Sequence, residues 1–178
     1  MTVSGDGLVR WWDRLRPLPG GAWVFSRAIG WLVPYSGSIR ARVRELRPGY
    51  ARLTLRERSG IRQHLGSVHA VALVNLGELA SGLAMLSTLP PGSRAIVTQL
   101  SAEYFKKARG VLTAVGSVGS VRSVGSEDLI VQSEIRDAAD EVVCRVSVHW
   151  RVELGSLREA KGLEAIAPDR HGPSVPSR

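Results

Sequence analysis

The chain has 178 residues, of which 44% are hydrophobic and 22% charged, a composition typical of one folded domain with short additional segments. Its net charge of +8 favours an anionic partner, such as a polyphosphate ligand or anionic lipid. The arginines alternate with apolar residues and accompany no nucleic-acid-binding motif, so we expect no nucleic acid partner. The single cysteine, Cys144, excludes an internal disulfide.

No apolar stretch approaches the roughly 20 residues that a membrane-spanning helix needs. The first residues also lack the basic and then apolar segments of a signal peptide. We therefore expect a cytoplasmic protein. The sequence predicts no metal site and no cofactor.

Residues 1–35 form a predicted helical leader that contains four of the five tryptophans. Apolar residues recur at helical spacing over 8–15 and 22–33, with prolines and glycines between these two segments. The second segment is apolar almost all round, a pattern that is typical of a buried helix.

Two interpretations of this leader stay open. In the first, the helices form a flap that packs on the rest of the domain or across a dimer. In the second, residues 8–33 make peripheral contact with a membrane surface, which arginines beside the tryptophans favour. These arginines are Arg10, Arg14 and Arg16.

Residues 36–154 predict an α+β domain. The central segment 68–89 is rich in alanine and leucine and predicts one long helix, with Ser67 as its N-cap and two prolines at its end. Alternation of polar and apolar residues predicts six strands around this helix. They cover residues 38–46, 50–58, 94–106, 110–124, 128–137 and 141–152. Residues 155–178 become rich in proline and serine and predict a flexible tail.

The segment QHLGSVHAVALVNLGEL, residues 63–79, leads into the central helix. It resembles the loop-to-helix motif of hotdog-fold thioesterases of the phenylacetate-pathway type. That motif is Asn-x-x-Gly-x-x-His-Gly-Gly, followed by an acidic residue nine positions after the histidine. Gly66 and His69 match it, and Glu78 occupies the acidic position.

The sequence departs from this pattern at three positions of the loop and helix start. Gln63 replaces the asparagine, and Ala70 and Val71 replace the two glycines. These changes resemble a branch of the superfamily known as a domain of unknown function, in which His-Ala and Glu are usual. A later segment, EYFKKARG at 103–110, resembles the strand exit of the same family. The resemblance covers roughly residues 36–153.

The resemblance implies a hotdog fold, an antiparallel sheet of about six strands wrapped round one long central helix. It also implies an acyl-CoA thioesterase-like activity, with Glu78, His69 and His64 as catalytic candidates. Candidates for substrate binding come from the motif, from the helix that follows it and from the basic residues of the segment 103–110. They are Gln63, Gly66, Ala70, Asn75, Lys106, Lys107 and Arg109.

Hydrolysis of a thioester needs hydrogen-bond donors for the oxyanion and an activated water or nucleophile. The N–H groups at a helix N-terminus are unpaired donors, so those of His69 and Ala70 are candidates to polarise the carbonyl. Glu78 follows His69 by nine residues, about 900° of helix, and therefore lies on the opposite side. We expect a homodimer, or a dimer of dimers, in which His69 of one chain meets Glu78 of another.

Two alternatives stay open. The substituted glycines and Gln63 suggest a protein that binds an acyl-CoA or acyl chain without hydrolysing it. The tryptophan-rich leader suggests a protein associated with a membrane surface.

Overall fold

The computed structural model describes residues 5–119 and 125–154. The predicted flexible tail at 155–178 lies outside the described residues, as does the end of the strand predicted over 110–124. Within the described ranges, no helix is both long and apolar enough to cross a bilayer.

Three helices precede the sheet: α1 (Gly5–Leu15), α2 (Gly21–Leu32) and the short α3 (Pro34–Gly37). One face of α1 and one face of α2 join the core, where the ring of Trp12 meets that of Phe25 at 5.2 Å between centroids. The prediction that α2 is buried all round is wrong. Phe25 and Ile29 point inwards, but Trp23 and Trp31 are 53% and 72% exposed.

Eight strands and one long helix, α4 (Ala70–Leu86), make up the rest of the described chain. Six strands form one antiparallel sheet in the order β1-β2-β6-β7-β8-β5, and β3 with β4 forms a separate two-residue hairpin. The strands are β1 (Arg42–Arg47), β2 (Tyr50–Arg56), β3 (Arg62–Gln63), β4 (Ser67–Val68), β5 (Arg94–Tyr104), β6 (Val111–Ser117), β7 (Gly125–Arg136) and β8 (Val142–Leu154).

Helix α4 lies across one face of this sheet, and two glycines allow its close approach. A Cβ at Gly77 would stand 2.6 Å from Val146 of β8. A Cβ at Gly116 of β6 would stand 2.4 Å from the backbone oxygen of Ala80. Both distances are far below ordinary contact, so the helix can lie this near the sheet only because these side chains are absent.

This architecture is the α+β hotdog fold, with a six-stranded antiparallel sheet packed on a long central helix behind N-terminal helices. The sequence prediction of fold class and element order is therefore confirmed. Several boundaries differ, and two of them change the approach to the central helix and the first strand. The first strand begins at Arg42 instead of residue 38, because α3 and a turn with Arg40 at φ 55° occupy the intervening residues. The central helix begins at Ala70 instead of residue 68, because β4 pairs with β3.

The sheet has an uncovered edge at β5. This strand pairs with β8 on one side only, over the whole run from Arg94 to Tyr104. Its other side offers unpaired backbone donors and acceptors, which proteins usually cover or protect. Most of its side chains are also exposed, including Ile96 at 65% and Leu100 at 44%.

Candidate functional site

The loop before α4 is a tight hairpin that is held by its own side chains. Gly66 adopts φ 71°, a left-handed conformation that favours glycine. The Gln63 amide donates to Ser67 Oγ at 2.8 Å and accepts from the Leu65 N–H at 3.1 Å. Gln63 therefore stabilises the loop. Ser67 is buried in this contact and does not cap the helix, so the predicted N-cap is wrong.

His69 is the N-cap of α4. Its Nδ1 accepts a hydrogen bond from the Val71 N–H at 3.1 Å. A neutral imidazole that accepts at Nδ1 carries its proton on Nε2, which leaves Nε2–H as a donor for another group. The His69 N–H donates to Ile61 O at 2.8 Å, whereas the Ala70 N–H has no acceptor among the described residues. The exposed donors at this helix start are thus Ala70 N–H and His69 Nε2–H.

A cavity of about 680 Å³ opens beside this helix start. One wall comes from the hairpin and the first turn of α4, and the other from the end of β5 and the segment after it. The Tyr104 hydroxyl joins the two walls by donating to Ala70 O at 3.3 Å. The lining residues are Gln63, His64, Ser67, Val68, His69, Ala70, Leu73, Tyr104, Phe105, Lys106, Lys107 and Ala108.

Three cations stand at the rim of this cavity, in different states of pairing. Lys106 is bound by Asp137 at 2.6 Å and by Glu141, so its charge is largely balanced. Arg109 donates from Nε to Gly66 O at 2.9 Å, which holds its guanidinium against the hairpin. Lys107 is exposed and has no carboxylate partner among the described residues. Lys107 and Arg109 therefore carry the charge that remains available to an anion.

Glu57 joins two chain segments next to the cavity-lining residues through its carboxylate. Its carboxylate accepts from the Gly110 N–H at 2.6 Å and pairs with Arg62 at 2.8 Å. The Gly110 hydrogen bond is the main reason that its pKa lies below the usual range, with Arg62 adding to the effect. This carboxylate thus connects the end of β2 to the start of β6.

Glu78 lies on a different side of α4 and does not line the cavity. It is nine residues, about 13 Å of helix rise, beyond His69. Val71, Val74 and Glu78 lie on one stripe of the helix, along which Val71 is exposed and Val74 is partly buried against the core. The carboxylate extends towards Gly82, where a Cβ would stand 3.9 Å from Glu78 Oε1 and 3.4 Å from the Trp150 ring. Partial burial of the carboxyl, which disfavours its charged form, raises the pKa of Glu78.

The surface between this stripe and the edge strand β5 is called the groove here, and its apolar side chains Val71 and Leu100 are 52% and 44% exposed. Ala102 and Leu100 pair directly with Val146 and Val148, whose side chains point towards α4. Paired residues share a face of the sheet, so Ala102 and Leu100 point towards the helix layer too. Ala102 is partly buried against the core, whereas Leu100 is 44% exposed. The groove thus combines exposed apolar side chains with one acid whose charge is partly desolvated.

Asn75 was expected to line the cavity, but the structure places it towards α3 instead. Its side chain is buried, and Nδ2 donates to Tyr35 O at 3.3 Å. Its Oδ1 has no hydrogen-bond partner within the described chain.

The structure therefore brings most of the predicted site residues together and separates two of them. The hairpin, the helix start and the basic segment meet at one cavity, whereas Glu78 and Asn75 lie elsewhere on α4. Sequence reasoning missed Tyr104 and Phe105 as cavity residues, although the aromatic pair in EYFKKARG was a usable signal. Within residues 5–119 and 125–154, no group of three metal-ligating side chains comes together.

The fold and the cavity define this chain as a hotdog-type protein with a cleft at the start of its central helix. The chain belongs to the family described as a domain of unknown function, DUF4442, which it matches over residues 21–152. No curated protein matches it.

Solved structures of similar proteins support the fold. The structural-genomics protein APC5556 is 31% identical, with a TM-score of 0.72, over 83% of this chain and 99% of that one. PA5026 of Pseudomonas aeruginosa, described as a probable thioesterase, is 24% identical with a TM-score of 0.64, over 76% and 96%. The thioesterase SAV0944 of Staphylococcus aureus is 13% identical with a TM-score of 0.57, over 67% and 98%.

Proposed function

We propose that this protein is an acyl-CoA thioesterase-like hydrolase whose site forms across a homodimer. The observation that carries the proposal is the separation along α4 between the helix-start donors and Glu78. Within one chain, the cavity contains the hydrogen-bond donors of the helix start but no acid, and the groove contains Glu78 but no such donors. In a twofold-symmetric dimer, Glu78 of one chain can face the donors of the other chain, and the reverse holds for the second site.

The edge strand supports this arrangement. Pairing β5 with β5 of another copy satisfies the unpaired backbone groups and extends the sheet to twelve strands. The same contact covers Leu100 and the Glu78 stripe with the partner's surface. A site of this kind occurs twice in each dimer, and pairs of dimers are compatible with it.

The chemistry follows from the exposed donors. Ala70 N–H and His69 Nε2–H hydrogen-bond the thioester carbonyl oxygen and stabilise the negative charge that develops there. The Glu78 carboxylate takes a proton from water, and the hydroxide adds to the carbonyl carbon. The C–S bond then breaks with its electron pair leaving on sulfur. Glu78 returns its proton to the thiolate, which gives a carboxylic acid and a thiol.

The cationic rim suits the carrier end of such a substrate. Lys107 and Arg109 offer positive charge to the phosphates of coenzyme A, while Lys106 contributes less because two carboxylates hold it. His64 lines the same cavity and contacts the substrate between the rim and the helix start. The apolar groove would receive the acyl chain.

The test is thiol release from acyl-CoA esters of increasing chain length. We expect Glu78→Gln to lower kcat by at least about 100-fold, because the amide cannot accept the proton of water. The matched control is Glu45→Gln on β1, at the opposite edge of the sheet, whose partly exposed carboxylate pairs with Arg47 and Arg52. Equal activity in Glu78→Gln and the wild type would overturn the mechanism.

A protein that binds acyl thioesters without hydrolysing them is the second candidate. It is favoured by Val71, which is 52% exposed at the helix start where the resembled motif has glycine. Calorimetric binding of a non-hydrolysable acyl-CoA thioether, with no thiol release by the wild type, would support this candidate against the first.

A further inference from the structure

We propose that the outer face of α2 and the adjoining turn form a docking surface for an anionic lipid bilayer. This surface, the α2 face, is defined by Trp23, Arg27, Trp31, Arg40 and Arg42. It lies on the N-terminal helices and β1, away from the cavity at the start of α4.

Exposed apolar side chains are concentrated on this face. Trp31 is 72% exposed and Trp23 is 53% exposed, and Leu32 and Tyr35 extend the patch at 53% and 70%. Single exposed apolar residues are common on protein surfaces, but a contiguous aromatic patch marks an interaction site. Tryptophan and tyrosine suit the boundary between water and hydrocarbon because each has an apolar ring and a polar group.

Arginines surround these aromatic rings without acidic partners. The Arg27 guanidinium carbon lies 5.8 Å from the centroid of the Trp31 ring. A cleft of about 620 Å³ on this face is lined by Arg27 together with Arg40 and Arg42, and its lining contains no carboxylate. Within the described chain, none of these three arginines forms an ion pair. Most of the other arginines in the strands of the six-stranded sheet do form one.

The backbone also holds one of these arginines in an unfavourable conformation. Arg40 has φ 55°, in the left-handed region that glycine or asparagine adopts more readily. Its N–H donates to Gly37 O at 3.0 Å, which closes the turn after α3. A charged residue in this conformation presents its side chain beside the cleft, at a position where a smaller residue would fit the backbone better.

Charge favours a bilayer over a second copy of the chain as the occupant. A twofold contact would place the same three unpaired guanidinium groups of both copies against one another. An anionic membrane supplies phosphates for the arginines and an apolar layer for the tryptophans. The sequence placed the basic residues of this contact in α1, but Trp12 is buried and Arg16 pairs with Asp13 at 3.0 Å. The α2 face lies partly within the predicted contact segment 8–33 and takes its basic residues from Arg27, Arg40 and Arg42.

The experiment is co-sedimentation of the full chain with phosphatidylcholine vesicles, with and without an equal share of phosphatidylglycerol. We expect binding to the anionic vesicles, weakened at least about tenfold without phosphatidylglycerol and weakened further by salt. Brominated lipid should quench tryptophan emission. Trp23→Ser with Trp31→Ser should abolish the quenching, because the exposed rings are the ones that insert.

A second variant tests the charges separately. Arg27→Gln, Arg40→Asn and Arg42→Gln together should lower the affinity at least about tenfold. Asparagine is chosen at Arg40 because it tolerates the left-handed backbone. The controls are Ile130→Ser and Arg94→Gln, an exposed apolar residue and an exposed arginine outside the α2 face. Melting curves establish that every variant is folded.

Three outcomes would overturn the proposal. The first is absence of binding to vesicles of either composition. The second is a loss of binding in the control variants that equals the loss in the α2 variants. The third is a change in oligomeric state in the α2 variants that accounts for their loss of vesicle binding, which would mean that another copy covers this face.

Discussion

The cavity side and the groove side of α4 differ in how far the contacts within one chain organise them. On the cavity side, Gln63, His69 and Arg109 are each held by a hydrogen bond to the hairpin or helix start. On the groove side, Leu100 is exposed, and partial burial raises the pKa of the Glu78 carboxyl. Val71 and Leu100 on that side are 52% and 44% exposed.

This difference suggests that folding of one chain completes the cavity side, whereas the groove side is completed only when a second chain associates. The cavity side is organised before any partner arrives, so its geometry depends on local hydrogen bonds. The groove side leaves apolar surface and a partly desolvated acid in place, both of which a partner could use. Substitutions on the cavity side should therefore change helix stability, and those on the groove side should change association.

The largest expected effect is on association. Leu100→Asp puts a charge into the apolar groove and removes a leucine that is 44% exposed. Association therefore gains only part of the about 1.5–3 kcal/mol that a fully buried leucine contributes in each subunit. We expect the dimer dissociation constant to rise at least about 30-fold, measured by sedimentation equilibrium. Ile130→Asp, on the opposite face of the sheet, is the control. A Leu100→Asp protein that dimerises as tightly as the wild type would remove the groove from the dimer interface.

A smaller effect is expected at the helix start. His69→Ala removes the N-cap acceptor for the Val71 N–H and should lower the free energy of unfolding by about 1 kcal/mol. His69→Asn retains a capping side chain and should keep most of that stability. Urea denaturation distinguishes the two variants. Equal loss in both would show that the cap contributes little and that the imidazole ring itself is what matters.

The smallest effect is a pH dependence at Glu78. Because burial raises the pKa of Glu78 above 4.5, the folded chain binds this proton more tightly than the unfolded chain does. Its contribution to stability is therefore present below pH 4.5 and is lost as pH rises through the folded pKa. Glu78→Gln stays neutral, so it should match the wild-type melting temperature in acid and exceed it slightly near neutral pH. A difference that is the same at both pH values would contradict this account.

The sequence predicted the fold because its signals were local. Alternation gave the strands, the alanine- and leucine-rich segment gave α4, and the prolines gave its end. It predicted the groups at the cavity from a motif whose spacing survives the replacement of two glycines. Pairing between β3 and β4 was too short to be seen in a pattern. It moved the helix start to Ala70, which made His69 the cap in place of Ser67.

Composition also could not tell which side of α2 is buried, because both sides are apolar. The core selects Phe25 and Ile29, through contacts with α1 that are distant in sequence, and leaves Trp23 and Trp31 outside. The basic run after β5 posed the same difficulty. Lys106 and Lys107 are adjacent and alike, yet only Lys106 meets Asp137, a partner that the fold brings from the end of β7.

The central claim is that one chain supplies the donors and another supplies the acid. The direct measurement mixes His69→Asn with Glu78→Gln, two variants that we expect to be inactive alone, and refolds them together with different affinity tags. In a mixed dimer, one site unites His69 of one chain with Glu78 of the other. We predict recovery to about a quarter of wild-type thiol release, since half of the dimers are mixed and each has one intact site. Mixed dimers isolated through both tags that release no thiol, while the wild type does, would contradict the claim.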